Sequence, residues 1–294
     1  MKITAYDKLK LDNSAVALGK FEGLHKGHML LLDKITELSK ENKFTSVVLT
    51  VNVPSDKVIN VPMERFSILE RAGIQIAAEC EFSSEFAKMS PEDFVKNILV
   101  DRLGARYVVV GEDFRFGCKR SGDINTLIKL GEKLGFCVIA IKKLMIDNLI
   151  VSSSLIKKFI EKGDMERVSL YMGRDYSISG TVSCGKRLGR EIGFPTANII
   201  PEKDKLLPAD GVYSSSVCID NVMYKSITNI GSNPTTDTDK VIRVETHIID
   251  YSGDLYGRDL TISIKSFLRG EIKFNSINEL KIQLEKDKQK AMHQ

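Results

Sequence analysis

Hydrophobic periodicity changes once along this chain, and that change restricts the fold more than any single motif. Up to about Cys137, short apolar runs alternate with segments of helical spacing. "SAVALG" is followed by "GHMLLLDKITELSKEN" and then by "FTSVVLTV", the βαβ rhythm of a parallel sheet. It continues through "MERFSILERAG", "IQIAA", "SPEDFVKNILVDRLG", "RYVVVG", "INTLIKLGEKLG" and "CVIAIK". Ser90 as cap, Pro91 at the first helical position and Asp93 three residues after the cap mark one helix start. From about Tyr176 the segments turn β-branched and Tyr-rich: "YSISGTVSC", "GVYSSSVCI", "VIRVETHIID" and "DLTISIKSFL". Separated by Gly, Asn, Asp and Pro, they predict an antiparallel barrel or sandwich, closed by a helix over "SINELKIQLEKDKQKAM". The rhythm breaks at residues 163 to 175, so the expected domains are 1–172, α/β with a parallel sheet, and 173–294, a β-barrel.

A length of 294 residues suits two such domains, and 43% hydrophobic with 28% charged residues excludes a disordered chain. The balance of 43 Lys+Arg against 39 Asp+Glu is +4 and spread along the chain, which suits small anionic ligands better than a nucleic-acid duplex. No apolar run reaches membrane-span length and the N-terminus has no signal-peptide pattern, so a cytoplasmic protein without membrane partners is expected. The five cysteines are scattered and never paired as C-x-x-C. They read as reduced thiols, mostly filling the core, with no zinc site.

Two of the four histidines, His25 and His28, stand three residues apart in "ALGKFEGLHKGHMLLL", with Gly19, Phe21, Gly23 and Gly27 around them. A Gly-rich turn leading from a strand into a helix N-terminus presents backbone N–H groups and a partial positive charge, which make an anion site. The residues alone leave a metal pair or plain polar surface open. Far downstream, "VSSSLIKKF" sets Ser153 and Ser154 at a helix start with Lys157 in its first turn, a second anion cradle. "HKGH" after a first strand resembles the HxGH signature of the nucleotidyltransferase superfamily. The downstream serines resemble that superfamily's second motif. "VVVGEDFRFG", with Asp113, Phe114, Arg115 and Phe116, resembles the FMN adenylyltransferase branch and implies flavin contacts.

"GKRLGREIGFPTANI" holds Gly185, Lys186, Gly189 and Gly193, which permit close approach to a phosphate chain, and Pro195 between them and the oxygen-bearing Thr196 and Asn198. The pattern is not a Walker A loop, and a barrel turn with structural Gly and Pro is the alternative. Followed by "ADGVYSSSV", "TNIGSNPT", "RVETHIID", "GDLYGRDL" and "FLRGEIKFNS", it resembles the riboflavin kinase domain nearly end to end. That resemblance implies that Thr196 and Asn198 bind Mg2+ and ATP phosphates and that Glu245 is the catalytic base. His247 shares the strand face of Glu245, as a helper or a surface residue. Arg269 is a flavin or nucleotide contact, or a salt-bridge partner.

The whole chain thus resembles the bacterial bifunctional riboflavin kinase/FMN adenylyltransferase family. This implies a Rossmann-like nucleotidyltransferase domain, a kinase barrel, Mg2+, and ATP, riboflavin, FMN and FAD as substrates and products. Three departures concern the first domain. Glu22 stands where the family has Asp, only Pro54 remains of a Phe-x-Pro-x-Pro stretch, and Lys157 replaces an Arg, keeping the charge and losing the planar fork. The alternative is a riboflavin kinase with a degenerate flavin- or nucleotide-binding N-terminal module. A single-strand nucleic-acid binder is a third reading, poorly supported because Trp is absent and aromatic-basic interleaving is sparse.

Overall fold

The computed structural model describes residues 1–52, 56–183, 192–232 and 242–293. Gly185, Lys186, Gly189 and Pro54 lie outside the described residues. The chain forms two compact units, one of residues 1–56 and 62–152, the other of 57–61 and 153–294.

In the first unit β1 (Lys2–Ala5), β2 (Ser14–Gly19), α1 (Lys26–Asn42), β3 (Thr45–Asn52), α2 (Pro62–Arg71) and β4 (Ile76–Glu81) come first. The short helix α3 (Ser84–Lys88) follows, then α4 (Pro91–Asp93), which runs into a π-helical turn over Phe94–Val100. The Ser90 hydroxyl accepts the Asp93 N–H at 3.0 Å, so the cap read from sequence starts this helix. β5 (Ala105–Gly111), α5 (Ile124–Leu134), β6 (Cys137–Ile141) and the small hairpin β7 (Met145–Ile146) with β8 (Leu149–Ile150) complete the unit. The six-stranded sheet has the order β1-β4-β3-β2-β5-β6 and is parallel throughout. Its central strands are apolar at successive positions because both faces are covered. Val16, Leu18, Val47, Leu49, Val108 and Val110 fill one face. Ala15, Ala17, Val48, Ala77 and Val109 meet Leu32 and Ile35 of α1 on the other.

In the second unit α6 (Ser153–Glu161) and α7 (Met165–Met172) precede β9 (Tyr176–Ser183), β10 (Thr196–Pro201), β11 (Gly211–Ile219), β12 (Val222–Ser232), β13 (Ile242–Ile248) and β14 (Asp259–Arg269). The strands close an antiparallel barrel in the order β10-β13-β12-β11-β14-β9. The stretch in which the sequence lost its rhythm holds α7, capped by Asp164 and ended by Gly173, and α7 packs against β9 and β14. Strands β10 and β12 were not legible as strands in the sequence.

Inside the barrel Ile178, Val217, Ile230, Val244, Ile262 and Ile264 are buried. Four hydroxyls share that interior and satisfy one another: Ser215 meets Ser226 at 2.7 Å and Thr228 at 2.8 Å, and Thr228 meets Thr246 at 2.9 Å. Residues 57–61, from the connection between β3 and α2, are held by this unit. The Val58 N–H donates to Asp204 O at 2.7 Å, and Leu206 N–H donates back to Val58 O at 2.9 Å. Lys205, 1% exposed, donates its ammonium to Ile59 O at 2.7 Å and sits over the Tyr176 ring.

The last helix, α8 (Ile277–Met292), starts at Ser276, whose hydroxyl accepts the Glu279 N–H at 3.2 Å, while Glu279 accepts the Asn275 N–H at 2.9 Å. Leu280, Leu284, Asp287 and Ala291 form one stripe along it. Asp287, fully buried, takes the Arg269 guanidinium through Nε at 2.9 Å and Nη2 at 2.8 Å, and accepts from Gln283 at 2.8 Å.

The cysteines correct one expectation: among those described only Cys80 is buried, Cys118 is half-buried, and Cys137 and Cys218 are exposed. Cys137 begins the edge strand β6, where one side of the sheet ends. Burial, helped by Asp7 and Glu81, pushes the Cys80 thiol up to about 12.

Removing one partner of a buried ion pair costs about 3–5 kcal/mol, because the other charge is left behind. Asp287→Ala is expected to lower stability on that scale and to loosen α8, read by urea unfolding together with amide exchange along 277–292.

Candidate active site

The chain leaves β2 for β3 on one side of the parallel sheet, while β5 pairs with β2 on the other. The C-terminal ends of β2 and β5 therefore flank the topological switch point, where open α/β sheets bind ligands. The turn carrying His25 follows β2, and the segment carrying Asp113 to Phe116 follows β5.

The turn after β2 is strained. Phe21 at φ +46° and Leu24 at φ +43° are both in the left-handed region and both fully buried. Bulky residues hold that conformation only when packing overrides its cost. A Cβ on Gly19 would lie 3.1 Å from the Phe21 ring. Gly23 is buried between Phe21 and His25. His25 caps α1 with its ring: Nδ1 accepts the His28 N–H at 3.2 Å. In the neutral ring this leaves the proton on Nε2, which is the donor His25 can offer to an anion. The His28 ring stacks on that of His25, centroids 3.7 Å apart and 18° from parallel, and lies 5.3 Å from the Phe21 ring. Gly27 sits under this stack, where a Cβ would stand 3.2 Å from His25 Nδ1. Two imidazoles are thus fixed at the positive end of a 17-residue helix.

The "DFRF" residues divide. Phe116 is buried in the core against Phe94, and Phe114 stacks on it at 5.7 Å. Asp113 pairs with Lys143 at 2.9 Å and Arg115 with Asp123 at 3.6 Å, both at the surface. Asp123 is mainly a cap for α5, and the Thr126 N–H and hydroxyl hold its carboxyl below the usual range.

Arg65 on α2 was not found from the sequence. It is largely buried and donates to Asn52 at 3.3 Å and Glu79 at 3.4 Å, at the ends of β3 and β4. Burial pulls it below its ordinary value, and the carboxylates of Glu79 and Glu22 oppose that. Glu22, the family departure, therefore faces a buried guanidinium.

Ser153, Ser154 and Lys157 lie in the second unit, on the first two turns of α6, and the Lys157 ammonium donates to Lys57 O at 2.7 Å.

On the barrel, residues directly opposite across a ladder share a face. Asn198 stands opposite Glu245, Glu245 opposite Asn229, Asn229 opposite Val212 and Val212 opposite Arg269. This row crosses five strands on the outer face. A neighbouring row sets Thr196 opposite His247 and His247 opposite Ile227. Together with Leu280 and Leu284 of α8, these rows line a cavity of about 630 Å³ that includes Thr196, Asn229, Glu245, His247, Arg269 and Phe274. Thr196 also lines a second cavity of about 360 Å³ with Pro195, Tyr251, Ser252 and Tyr256. Asn198 is not among the lining residues of either. Gly193, at φ +84°, begins the approach to β10 in a conformation that favours glycine. Thr196 and Asn198 offer hard oxygen ligands on one strand face beside the Glu245 carboxylate, a donor set that fits a divalent cation such as Mg2+.

Two family models match the chain, one on each part. That for FAD synthetase matches residues 7–155, and that for riboflavin kinase matches 172–294. The chain belongs to the bifunctional riboflavin kinase/FMN adenylyltransferase family. A bifunctional riboflavin kinase/FMN adenylyltransferase of Buchnera aphidicola is 34% identical, with 94% of this chain and 92% of that one covered. One from Listeria monocytogenes is 32% identical over 94% and 91%. A crystal structure of a protein described as a macrolide-efflux protein from Streptococcus pneumoniae matches with a TM-score of 0.90 at 27% identity, over 100% of this chain and 99% of that chain. Among the described residues no helix is long and apolar enough to cross a membrane. Within the family framework, Arg269 is engaged with Asp287 while it lines the larger cavity, and Phe116 supports its loop from the core.

Two outcomes follow. Gly27→Ala gains about 0.5–1 kcal/mol of helix propensity yet crowds the His25 ring. Unchanged or higher melting temperature with reduced FAD formation is expected, measured on one preparation. His247 is pushed below its ordinary value, chiefly by burial. Stability from keeping that ring neutral is complete above the ordinary histidine value and is lost as pH falls from there through the depressed one. Melts from about pH 7.5 to about pH 5 should show this loss in the wild type and less of it in His247→Phe.

Proposed function

We propose that residues 173–294 phosphorylate riboflavin with ATP to give FMN, and that residues 1–172 adenylylate FMN with a second ATP to give FAD and pyrophosphate. The family match on each part supports two activities over a kinase with an inert N-terminal module. ATP, riboflavin and FMN are then the partners, and dependence on ATP supports a cytoplasmic location.

The observation that carries the kinase reading is the shared lining by Thr196 of both cavities, with Glu245 in the larger one. The larger, partly apolar cavity takes riboflavin, with Arg269 in its wall, and the smaller takes the nucleotide. Glu245 accepts the proton of the ribityl 5′-hydroxyl as that oxygen attacks the γ-phosphorus and ADP leaves. Thr196 and Asn198 would hold Mg2+, and the ion would supply neutralisation of phosphate charge there. Gly193 and Pro195 set the course of the backbone into Thr196, and Gly185, Lys186 and Gly189 belong to the same phosphate-binding segment.

For the second reaction an FMN phosphate oxygen attacks the α-phosphorus of ATP and pyrophosphate departs, with no protein nucleophile. Catalysis is then positioning and charge stabilisation. His25 and His28 at the start of α1, with the turn from Gly19 through Phe21 and Gly23 to Gly27, supply donors to the phosphates. Ser153, Ser154 and Lys157 provide the second cradle. Asp113, Phe114, Arg115 and Phe116 form the flavin side, the last from behind.

Chromatography of flavins after incubation with riboflavin, ATP and Mg2+, in air and with the flavin kept reduced, tests both steps. His28→Ala should cut FAD formation by about 10²-fold or more while FMN formation stays near wild type. Glu245→Gln should cut FMN formation by about 10²–10⁴-fold, and FAD should still form from supplied FMN. Unchanged FAD output from His28→Ala would sink the adenylyltransferase assignment of that turn.

A further inference from the structure

The β10–β13 ladder ends at the pair Thr196 and His247. One residue before β10, the Pro195 carbonyl lies beyond the last backbone pairing, and the His247 ring meets it with Nδ1 at 2.9 Å from the oxygen. A carbonyl only accepts, so Nδ1 carries the proton and Nε2 is the lone-pair nitrogen of the neutral ring. The side chain thereby adds one hydrogen bond to a ladder whose backbone has run out. The other side of the ring is fixed by Phe194, centroids 5.1 Å apart. Pro195 fixes its own φ but has no N–H to offer the ladder, and it follows Phe194 and the left-handed Gly193.

We propose that His247 is a positioning residue for the kinase step: by holding the Pro195 carbonyl it sets the orientation of Thr196, the residue common to both cavities. The proposal rests on the kinase reading given above. His247 touches neither reacting atom in this account. It stands two residues from Glu245 on the same strand face, and both line the larger cavity. Of the charged groups that face the ring, Lys288 of α8 favours the neutral form together with burial, while Asp250 beyond β13 and Glu285 of α8, like the Pro195 carbonyl, favour the protonated one, and burial prevails. A neutral donor can hold Pro195 without setting a cation beside the proposed base, which a lysine or arginine at this position could not do.

Steady-state kinase kinetics of the full-length protein with His247→Phe, His247→Ala and His247→Asn test the role. Phe keeps a ring against Phe194 without a donor, and Asn keeps an N–H at the position of Nδ1. For Phe and Ala, KM for ATP should rise by roughly three- to tenfold, the size of one lost hydrogen bond. FAD formation from supplied FMN should stay near wild type. Asn should recover most of the ATP effect. Asn behaving no better than Phe would overturn the proposal. Nitrogen NMR of histidine-labelled protein reads the tautomer without any turnover. The signal lost in His247→Phe should be that of a ring protonated at Nδ1, and protonation at Nε2 alone would overturn the proposal. A wild-type protein that forms no FMN yet shows the Nδ1–H ring would remove the kinase reading and leave the contact standing.

Discussion

The buried pair of Arg269 and Asp287 holds together the face of the barrel that carries the larger cavity. A carboxylate with no exposure to water is tolerated only when its oxygens are taken, and here Arg269 and Gln283 take them. The consequence is geometric. Arg269 ends β14, Asp287 lies midway along α8, and their pairing keeps the Leu280 and Leu284 side of the helix over the outer face of the strands. Without that cover the row from Asn198 through Glu245 to Asn229 would be an ordinary solvated sheet surface. With it, Glu245 becomes part of a cavity wall, beside apolar groups that suit a flavin ring.

The two units bring groups able to meet phosphate together in different ways. In the first, the sheet supplies a switch point and the helix supplies direction: α1 begins where β2 ends, and the strained turn between them brings two stacked imidazoles to the positive end of the helix. In the barrel of the second, side chains on adjacent antiparallel strands converge because the ladder aligns them. The first arrangement depends on a few residues in unfavourable backbone conformations, Phe21 and Leu24 among them. The second depends on register, and a slip of one residue would turn Glu245 and Thr196 into the hydroxyl-lined barrel interior. FMN, the product of one chemistry, is the substrate of the other.

Much of this was legible in the sequence. The βαβ rhythm announced a parallel sheet because strands buried on both faces must be apolar throughout, and the later β-branched segments announced the barrel. The histidine turn and the "GFPTAN" segment stood out because glycine permits backbone conformations closed to other residues and proline fixes its own φ. Other features were hidden, each for a physical reason. Arg65 is an unremarkable helix residue until the ends of β3 and β4 bring Asn52 and Glu79 to it. Phe116 sits within a motif that suggests ligand contact, yet its ring is claimed by Phe94. The thiols were expected inside, and strand position exposes Cys137 and Cys218.

The sequence by itself determined the two classes of fold, and it offered residue types chemically able to meet phosphate and accept a proton. Those are local properties, carried by periodicity and by the chemistry of individual side chains. Only the tertiary structure decided that residues 57–61 belong with the barrel, that Arg269 spends its guanidinium on Asp287, and that His247 reaches back to Pro195. Each of these joins groups far apart along the chain or across a ladder, and such pairings are set by register, strand order and burial, which no local pattern contains.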